Sequence, residues 1–347
     1  MKDVTVFAID LAKVVFHGHG ADAAGRRCFR KKVNASKLLA LLAELPPCVV
    51  AMEACASAHF WAREAQRLGH TPKIIAPQHV KPYVTGNKND WADAEAIAEA
   101  ATRPKTRFVA VKSALHLDVQ HLHRVRERLV HNRTQLVNQM RGFLLEQGIA
   151  VAKSVETLRA FVDGALADSA GVNLTAMMRQ TLSELRDELS ELDKRVQSAS
   201  ARIERFAACS DDCQRLMAIP GIGPVTATAL WSATPDARSF KSGRHFSALL
   251  GLTPRHEGSG GVNRILGISK RGDRYVRSLL VHGARASLIW IDKRDDRVAR
   301  WAQGLKESKG WNKAAVALAN KNARIAWAIL RWGSTYDAAH QPQKRVA

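Results

Sequence analysis

Four carboxylates in the first 93 residues, Asp10, Glu53, Asp90 and Asp93, have the type and placing to hold divalent cations. Asp10 ends the apolar run Val4-Thr5-Val6-Phe7-Ala8-Ile9, which predicts a buried strand. Glu53 ends a second such run, Cys48-Val49-Val50-Ala51-Met52. Asp90 and Asp93 lie three apart in a helix-forming stretch, so they share one helix face about 5–6 Å apart. A desolvated carboxylate at a strand end is costly unless a partner compensates it. Mg²⁺ (or Mn²⁺) is such a partner, and two such ions about 3.5–4 Å apart clamp a phosphodiester. Singly, each acid reads equally well as a helix cap or a solvated surface group. Four in this order and context predict a metal site.

The elements that must position these acids alternate along residues 1–110. Strands are predicted at 4–10, 14–20 and 27–33, then a helix at 36–45 opened by a Ser36 cap and closed by Pro46-Pro47. A strand at 48–52, a helix at 58–68, a strand at 72–76 and a helix at 90–101 follow. The order βββαβαβα is similar to the ribonuclease-H-like fold, in which an acid on the first strand, one after the fourth and acids on a late helix converge. The polar run Gly86-Asn87-Lys88-Asn89 leads into the acidic helix.

Residues 111–207 read as a helical, coiled-coil region. Leu115, Leu122, Leu129, Leu136 and Phe143 recur every seven residues, and Arg124, Arg126, Arg128, Arg133 and Arg141 occupy the other side. That side is either a solvated face or a set of phosphate contacts. A second helix carries an a/d seam from Met178 through Leu182, Leu185, Leu189, Leu192, Val196, Ala199 and Ile203 to Phe206. The seam can pack within the chain or pair subunits, and the expectation favours a part in oligomerisation.

Residues 208–340 hold two dense motifs. Ile219-Pro220-Gly221-Ile222-Gly223 between two helical stretches predicts a helix-hairpin-helix, whose glycines and following helix N-terminus suit a DNA phosphate. A plain tight turn is the simpler reading. Further on, Gly258-Ser259-Gly260-Gly261 lies near Arg255, His256, Arg264, Lys270 and Arg271. The flanking glycines would let a phosphate approach the Ser259 hydroxyl, and the cations could offset charge on a pentavalent phosphorus. On local sequence alone such a run is usually just a loop.

The chain has 347 residues with 53 Lys and Arg against 32 Asp and Glu, a net charge of +21. From Arg264 onward, 18 Lys and Arg stand against 6 Asp and Glu. A hydrophobic content of 46% argues against disorder, so the charge belongs to a folded surface suited to nucleic acid. Five cysteines, Cys28, Cys48, Cys55, Cys209 and Cys213, show no paired zinc spacing and are expected to be reduced thiols. No apolar stretch approaches 18 residues, which argues against membrane insertion, and the expected location is the cytoplasm.

Together these residues resemble the DEDD transposase family of insertion sequences, the bridge-RNA-guided serine recombinases. The resemblance rests on Ala8-Ile9-Asp10, Met52-Glu53-Ala54-Cys55, Lys88-Asn89-Asp90-x-x-Asp93-Ala94, Ile219-Pro220-Gly221-Ile222-Gly223, Gly251-Leu252-x-Pro254-Arg255, Ser259-Gly260-Gly261 and Ile268-Ser269-Lys270-Arg271-Gly272. The stretch 312–321 resembles one subgroup of the family. The resemblance implies a RuvC-like N-terminal domain whose Asp10, Glu53, Asp90 and Asp93 bind the metal, and a C-terminal transposase domain with Ser259 as nucleophile. It implies donor and target DNA and a structured guide RNA as partners, and a homo-oligomer built as a dimer of dimers. Trp91, between the two aspartates, departs from the small residue expected there. A metal nuclease or junction resolvase using water, with Ser259 structural, is the alternative enzyme; a non-catalytic nucleic-acid-binding protein is the alternative from another class.

Overall fold

Six strands organise the first 115 residues: β1 (Val6–Asp10), β2 (Phe16–Ala21), β3 (Arg27–Val33), β4 (Val49–Glu53), β5 (Thr71–Ile75) and β6 (Phe108–Val109). The computed structural model describes residues 3–85, 89–167, 170–259 and 261–340, and its contacts separate a unit of residues 1–115 from one of residues 116–347. The strand order is β3-β2-β1-β4-β5-β6. β1 pairs antiparallel with β2 and parallel with β4, and β4 pairs parallel with β5. Helices α1 (Ala35–Glu44), α2 (Ala58–Arg67), α3 (Pro77–Val80) and α4 (Asp90–Thr102) lie between the strands. The topology fits a ribonuclease-H-like domain. Short α3 and the two-residue β6, antiparallel on β5, carry too little periodicity to read from sequence. The cap of α1 is Asn34, not Ser36: its Oδ1 accepts from the Lys37 N–H at 3.0 Å and from the Ser36 hydroxyl at 3.1 Å.

Strand parity sorts the sheet into two faces. Phe7 and Ile9 of β1, with Val50 and Met52 of β4, pack with Leu38, Leu42 and Trp61 from α1 and α2. Val6, Ala8 and Ala51 pack with Ala96, Ile97 and Ala100 of α4. Small residues on both surfaces let α4 lie close to the sheet. The run His17-Gly18-His19-Gly20 follows the same alternation. A Cβ on Gly18 would lie 2.6 Å from the Phe7 ring, and one on Gly20 2.5 Å from the Phe29 ring. Glycine is needed beneath the aromatic rings on that face, and parity leaves His17 and His19 on the face that α4 covers.

The second unit comprises α5 (Ala114–Glu146), α6 (Val155–Leu166), α7 (Ala176–Cys209), α8 (Asp211–Met217), α9 (Pro224–Ala233), α10 (Gly243–Leu249), the hairpin β7 (Pro254–Ser259) and β8 (Val262–Ile268), α11 (Arg274–Ile289), α12 (Arg297–Lys309) and α13 (Trp311–Trp332). The α7 seam is filled from within the chain: Leu182, Leu189 and Leu192 are buried with Leu129, Leu136 and Met140 of α5 and Leu158 and Val162 of α6. Of the two readings of the seam, packing within the chain accounts for these leucines, while Met178, Leu185 and Val196 of the same seam are only partly buried. Each buried leucine contributes about 1.5–3 kcal/mol, whereas a half-exposed pair such as Arg133–Asp193 contributes about 0–1 kcal/mol. Packing, not charge, holds these helices. A second cluster joins α8, α9, α11, α12 and α13 around Leu216, Leu230, Leu280, Ala299 and Leu318.

His123 of α5 is 2% exposed. The Thr228 hydroxyl donates to the Pro224 carbonyl at 2.8 Å, so it accepts from His123 Nε2–H at 2.9 Å, and Nδ1 accepts from the Tyr275 hydroxyl at 2.9 Å. Burial, aided by Arg126 and Arg124, pushes the His123 pKa down to about 4. In the first unit His59 is pushed to about 4 by burial and by Lys112 and Arg63, and its Nδ1 accepts from the Lys112 N–H. The unfolded chain takes up these protons near pH 6.5 and the folded protein does not until about pH 4. Stability therefore falls as pH drops through that window, for His123 by at most about 1.4 kcal/mol per pH unit. Thermal melts between pH 7 and 4.5 should show this decline, and His123→Gln should flatten it; an equally steep decline would remove His123 as its source.

Candidate functional site

Parity carries the acids to one place. Asp10 follows Ala8 on the α4 face of β1, and Glu53 follows Ala51 on the same face of β4. The two strands are adjacent and parallel with Ile9 beside Met52, so both acids sit at the carboxyl edge of the sheet. That edge is where open α/β sheets bind ligands. α4 begins there. Asn89 caps it, its Oδ1 accepting from the Ala92 N–H at 2.8 Å, and Asp90 and Asp93 fall in its first turn. Acids are favoured at a helix N-terminus in their own right.

Asp10, Asp90 and His17 offer ligand atoms that all lie within 4.8 Å of one another. Glu53 ends the neighbouring strand and half-buried Asp93 lies one turn along α4; neither belongs to that set of three. His17 was not among the acids that sequence singles out. It enters because the β1–β2 hairpin pairs it directly with Asp10. The readable signal was a histidine facing an acid across a predicted hairpin, and it depends on knowing the register. His17 is 7% exposed, and its Nδ1 stands 3.4 Å from Asp90 Oδ2 without a hydrogen-bond partner among the described residues. Such an atom costs about 1–3 kcal/mol if left unsatisfied. Two carboxylates converging on a buried, unsatisfied imidazole nitrogen fit a divalent cation.

Trp91 has a place in this arrangement. Its ring meets His17 edge-on with centroids 4.7 Å apart, and the Arg30 guanidinium lies 5.8 Å from the Trp91 ring while bonding Glu95 at 2.8 Å. A small residue at position 91 would leave the imidazole without that wall.

Comparison with known proteins decides the family. The profile described as Transposase IS116/IS110/IS902 family matches residues 213–299, and a DEDD transposase profile matches residues 7–148. A probable family 20 transposase of Pseudomonas aeruginosa is 47% identical over 94% of this chain and 97% of its own length. The transposase for insertion sequence element IS1111A of Coxiella burnetii is 41% identical over 97% of this chain and 92% of its own. That for IS1328 of Yersinia enterocolitica is 38% identical over 97% and 100%. The chain belongs to the IS110/IS116 family of transposases. It is thus a DNA-cutting and DNA-joining enzyme, of a type that uses divalent metal ions.

In the transposase's second unit, the expected nucleic-acid contacts separate into groups. Four of the five α5 arginines are engaged within the chain: Arg124 with Glu127 and Asp273, Arg126 with Ser200, Arg133 with Asp193, and Arg141 with the Ala152 and Ser154 carbonyls. Arg128 is exposed. Gly221 has φ +91°, and a Cβ there would lie 2.6 Å from the Gly283 carbonyl of α11. Its glycine is required by helix packing as well as by the turn, which is the simpler of the two readings. Gly223 caps α9 and is exposed.

Ser259 ends β7, its main chain paired with Val262 of β8; Gly260 and the Ser259 side chain lie outside the described residues, as do Gly86, Asn87 and Lys88. Arg264 pairs with Glu257 across the hairpin, Arg255 lies 3.4 Å from Glu257, and Arg271 is exposed. Beside the hairpin an open groove of about 1320 Å³ runs against α12 and α13. Its lining includes Arg255, Lys270, Lys313, Lys321 and Arg324 and, among the described residues, no carboxylate, with Ile265 and Val316 as apolar members. Lys321 Nζ stands 3.9 Å from the centroid of the half-open Trp301 ring. Sequence reasoning missed Trp301, Lys313, Lys321 and Arg324 as site residues; the signal was the four-residue spacing of 313, 317, 321 and, one turn on, 324 along one helix.

No helix among the described residues is long and apolar enough to cross a membrane. Replacing Lys270, Lys313, Lys321 and Arg324 by alanine should weaken nucleic-acid affinity and flatten its salt slope by about 0.7–0.9 per lost phosphate contact. Fluorescence anisotropy across a salt series reads this; an unchanged slope would make the groove a bystander.

Proposed function

We propose that this transposase exchanges DNA strands through a covalent link to Ser259, with Asp10, Glu53, Asp90 and Asp93 holding Mg²⁺ or Mn²⁺. The observation that carries the reading is the convergence of Asp10 and Asp90 at the carboxyl edge of a ribonuclease-H-like sheet. Bound cations there would offset the charge of the scissile phosphate and of the pentavalent state. The Ser259 oxygen attacks phosphorus, its proton leaving to a base, and a Ser259–phosphate bond replaces the bond to the departing 3′-oxygen, which takes a proton. A 3′-hydroxyl of the partner strand then attacks that phosphate, breaks the bond to Ser259 and returns the proton to its oxygen. The phosphodiester energy is conserved, so rejoining needs no nucleotide cofactor.

Donor and target DNA are the substrates in this reading, and a structured RNA directs the choice of site by base pairing while protein reads backbone and shape. The charge of +21 and the carboxylate-free groove support phosphate binding of both kinds. The active form in this reading is a homo-oligomer, a dimer of dimers.

Labelled DNA incubated with the protein, its RNA and Mg²⁺ should yield a protein–DNA adduct that survives denaturant. Ser259→Ala should abolish the adduct, and Asp10→Asn should abolish strand exchange while RNA binding persists. Hydrolysed ends in place of an adduct, unchanged in Ser259→Ala, would instead establish attack by water.

A further inference from the structure

We propose that His17 is itself a ligand of the divalent-cation site, through Nδ1, and that it biases the site toward borderline first-row ions such as Co²⁺ over Mg²⁺. The inference rests on the metal-site reading above and goes beyond its four acids. Three observations carry it. The Nδ1 atom lies within 4.8 Å of ligand oxygens from both Asp10 and Asp90. The side chain is 9% exposed and Nδ1 has no hydrogen-bond partner among the described residues, although buried ring nitrogens ordinarily have one. The ring is also held: register fixes it opposite Asp10, and Trp91 packs against its edge.

An ordinary ion pair with Asp90 accounts for less. The distance is 3.4 Å, hydrogen-bond geometry is missing, and Asp90 is 64% exposed, where a charge pair is weak. A cation between the three groups gives the nitrogen a partner and offsets the charge of the two carboxylates. Carboxylate oxygens suit Mg²⁺ and Mn²⁺, whereas imidazole nitrogen favours the later first-row ions. A mixed set therefore shifts selectivity without abolishing Mg²⁺ binding.

Calorimetric titration of the full chain with Co²⁺ and with Mg²⁺ tests this. His17→Ala should weaken Co²⁺ by about tenfold or more and Mg²⁺ much less. His17→Asp should hold Mg²⁺ affinity at or above that of the unsubstituted chain while leaving Co²⁺ weakened, which separates ligation from misfolding. In the Co²⁺-loaded protein a paramagnetically shifted imidazole N–H signal should be present, and it should vanish in His17→Ala. Unchanged Co²⁺ affinity in His17→Ala, with loss in Asp10→Asn, would reduce His17 to a wall of the site. No loss in either variant, or no Co²⁺ binding by the unsubstituted chain, would overturn the metal reading as well.

Discussion

The candidate centre depends on the register of β1, the strand held on one side by β2 and on the other by β4. A slip of one residue would turn Phe7 and Ile9 onto the α4 face and Asp10 onto the face of α1 and α2. Phe7 and Ile9 are both fully buried against those helices, so the slip would empty one core and overfill the other. The same hydrophobic alternation that holds the sheet together therefore aims the acid. The chemistry is placed by packing several residues away from it.

Packing also explains how the acids are tolerated together. Asp90 gains from the N-terminus of α4, and α4 can approach because Ala8 and Ala51 face Ala96 and Ala100. That close approach brings Asp90 to Asp10, and like charges at such a distance favour a cation between them. Trp91 follows from the same geometry. With the helix start pressed to the sheet edge, the residue after Asp90 covers β2, and a flat ring can seat against His17 while its outer side receives Arg30.

Much of the first unit was legible because its signals are local. Strand runs, the Asn89–Asp90 helix start and the position of each acid at an element's end all lie within a few residues of sequence. His17 was not, since its relevance is a cross-strand relation across an irregular turn between Asp10 and Phe16. The seam of α7 was readable as a period but not as a partnership: heptads state that a stripe must be covered, and only the fold shows α5 and α6 covering it. The α5 arginines show the same limit. Their spacing marked one helix face, while their pairing with Asp193, Ser200 and Asp273 required distant segments to arrive.

The groove shows what remains when such long-range relations are in place. Its walls come from β7–β8 and from α12 and α13, and its five cations meet no carboxylate among the lining residues. Lys270 sharpens the point. It lies at the groove with φ 56°, a left-handed backbone that costs a side-chain-bearing residue about 1–2 kcal/mol. Its N–H donates to the Gly251 carbonyl at 3.1 Å, beside the Ser269–Thr253 bond, so the hairpin base enforces that conformation. Glycine would adopt it without strain and keep the same main-chain bond. What glycine would not supply is the charge, and in the proposed function that charge meets a nucleic-acid phosphate.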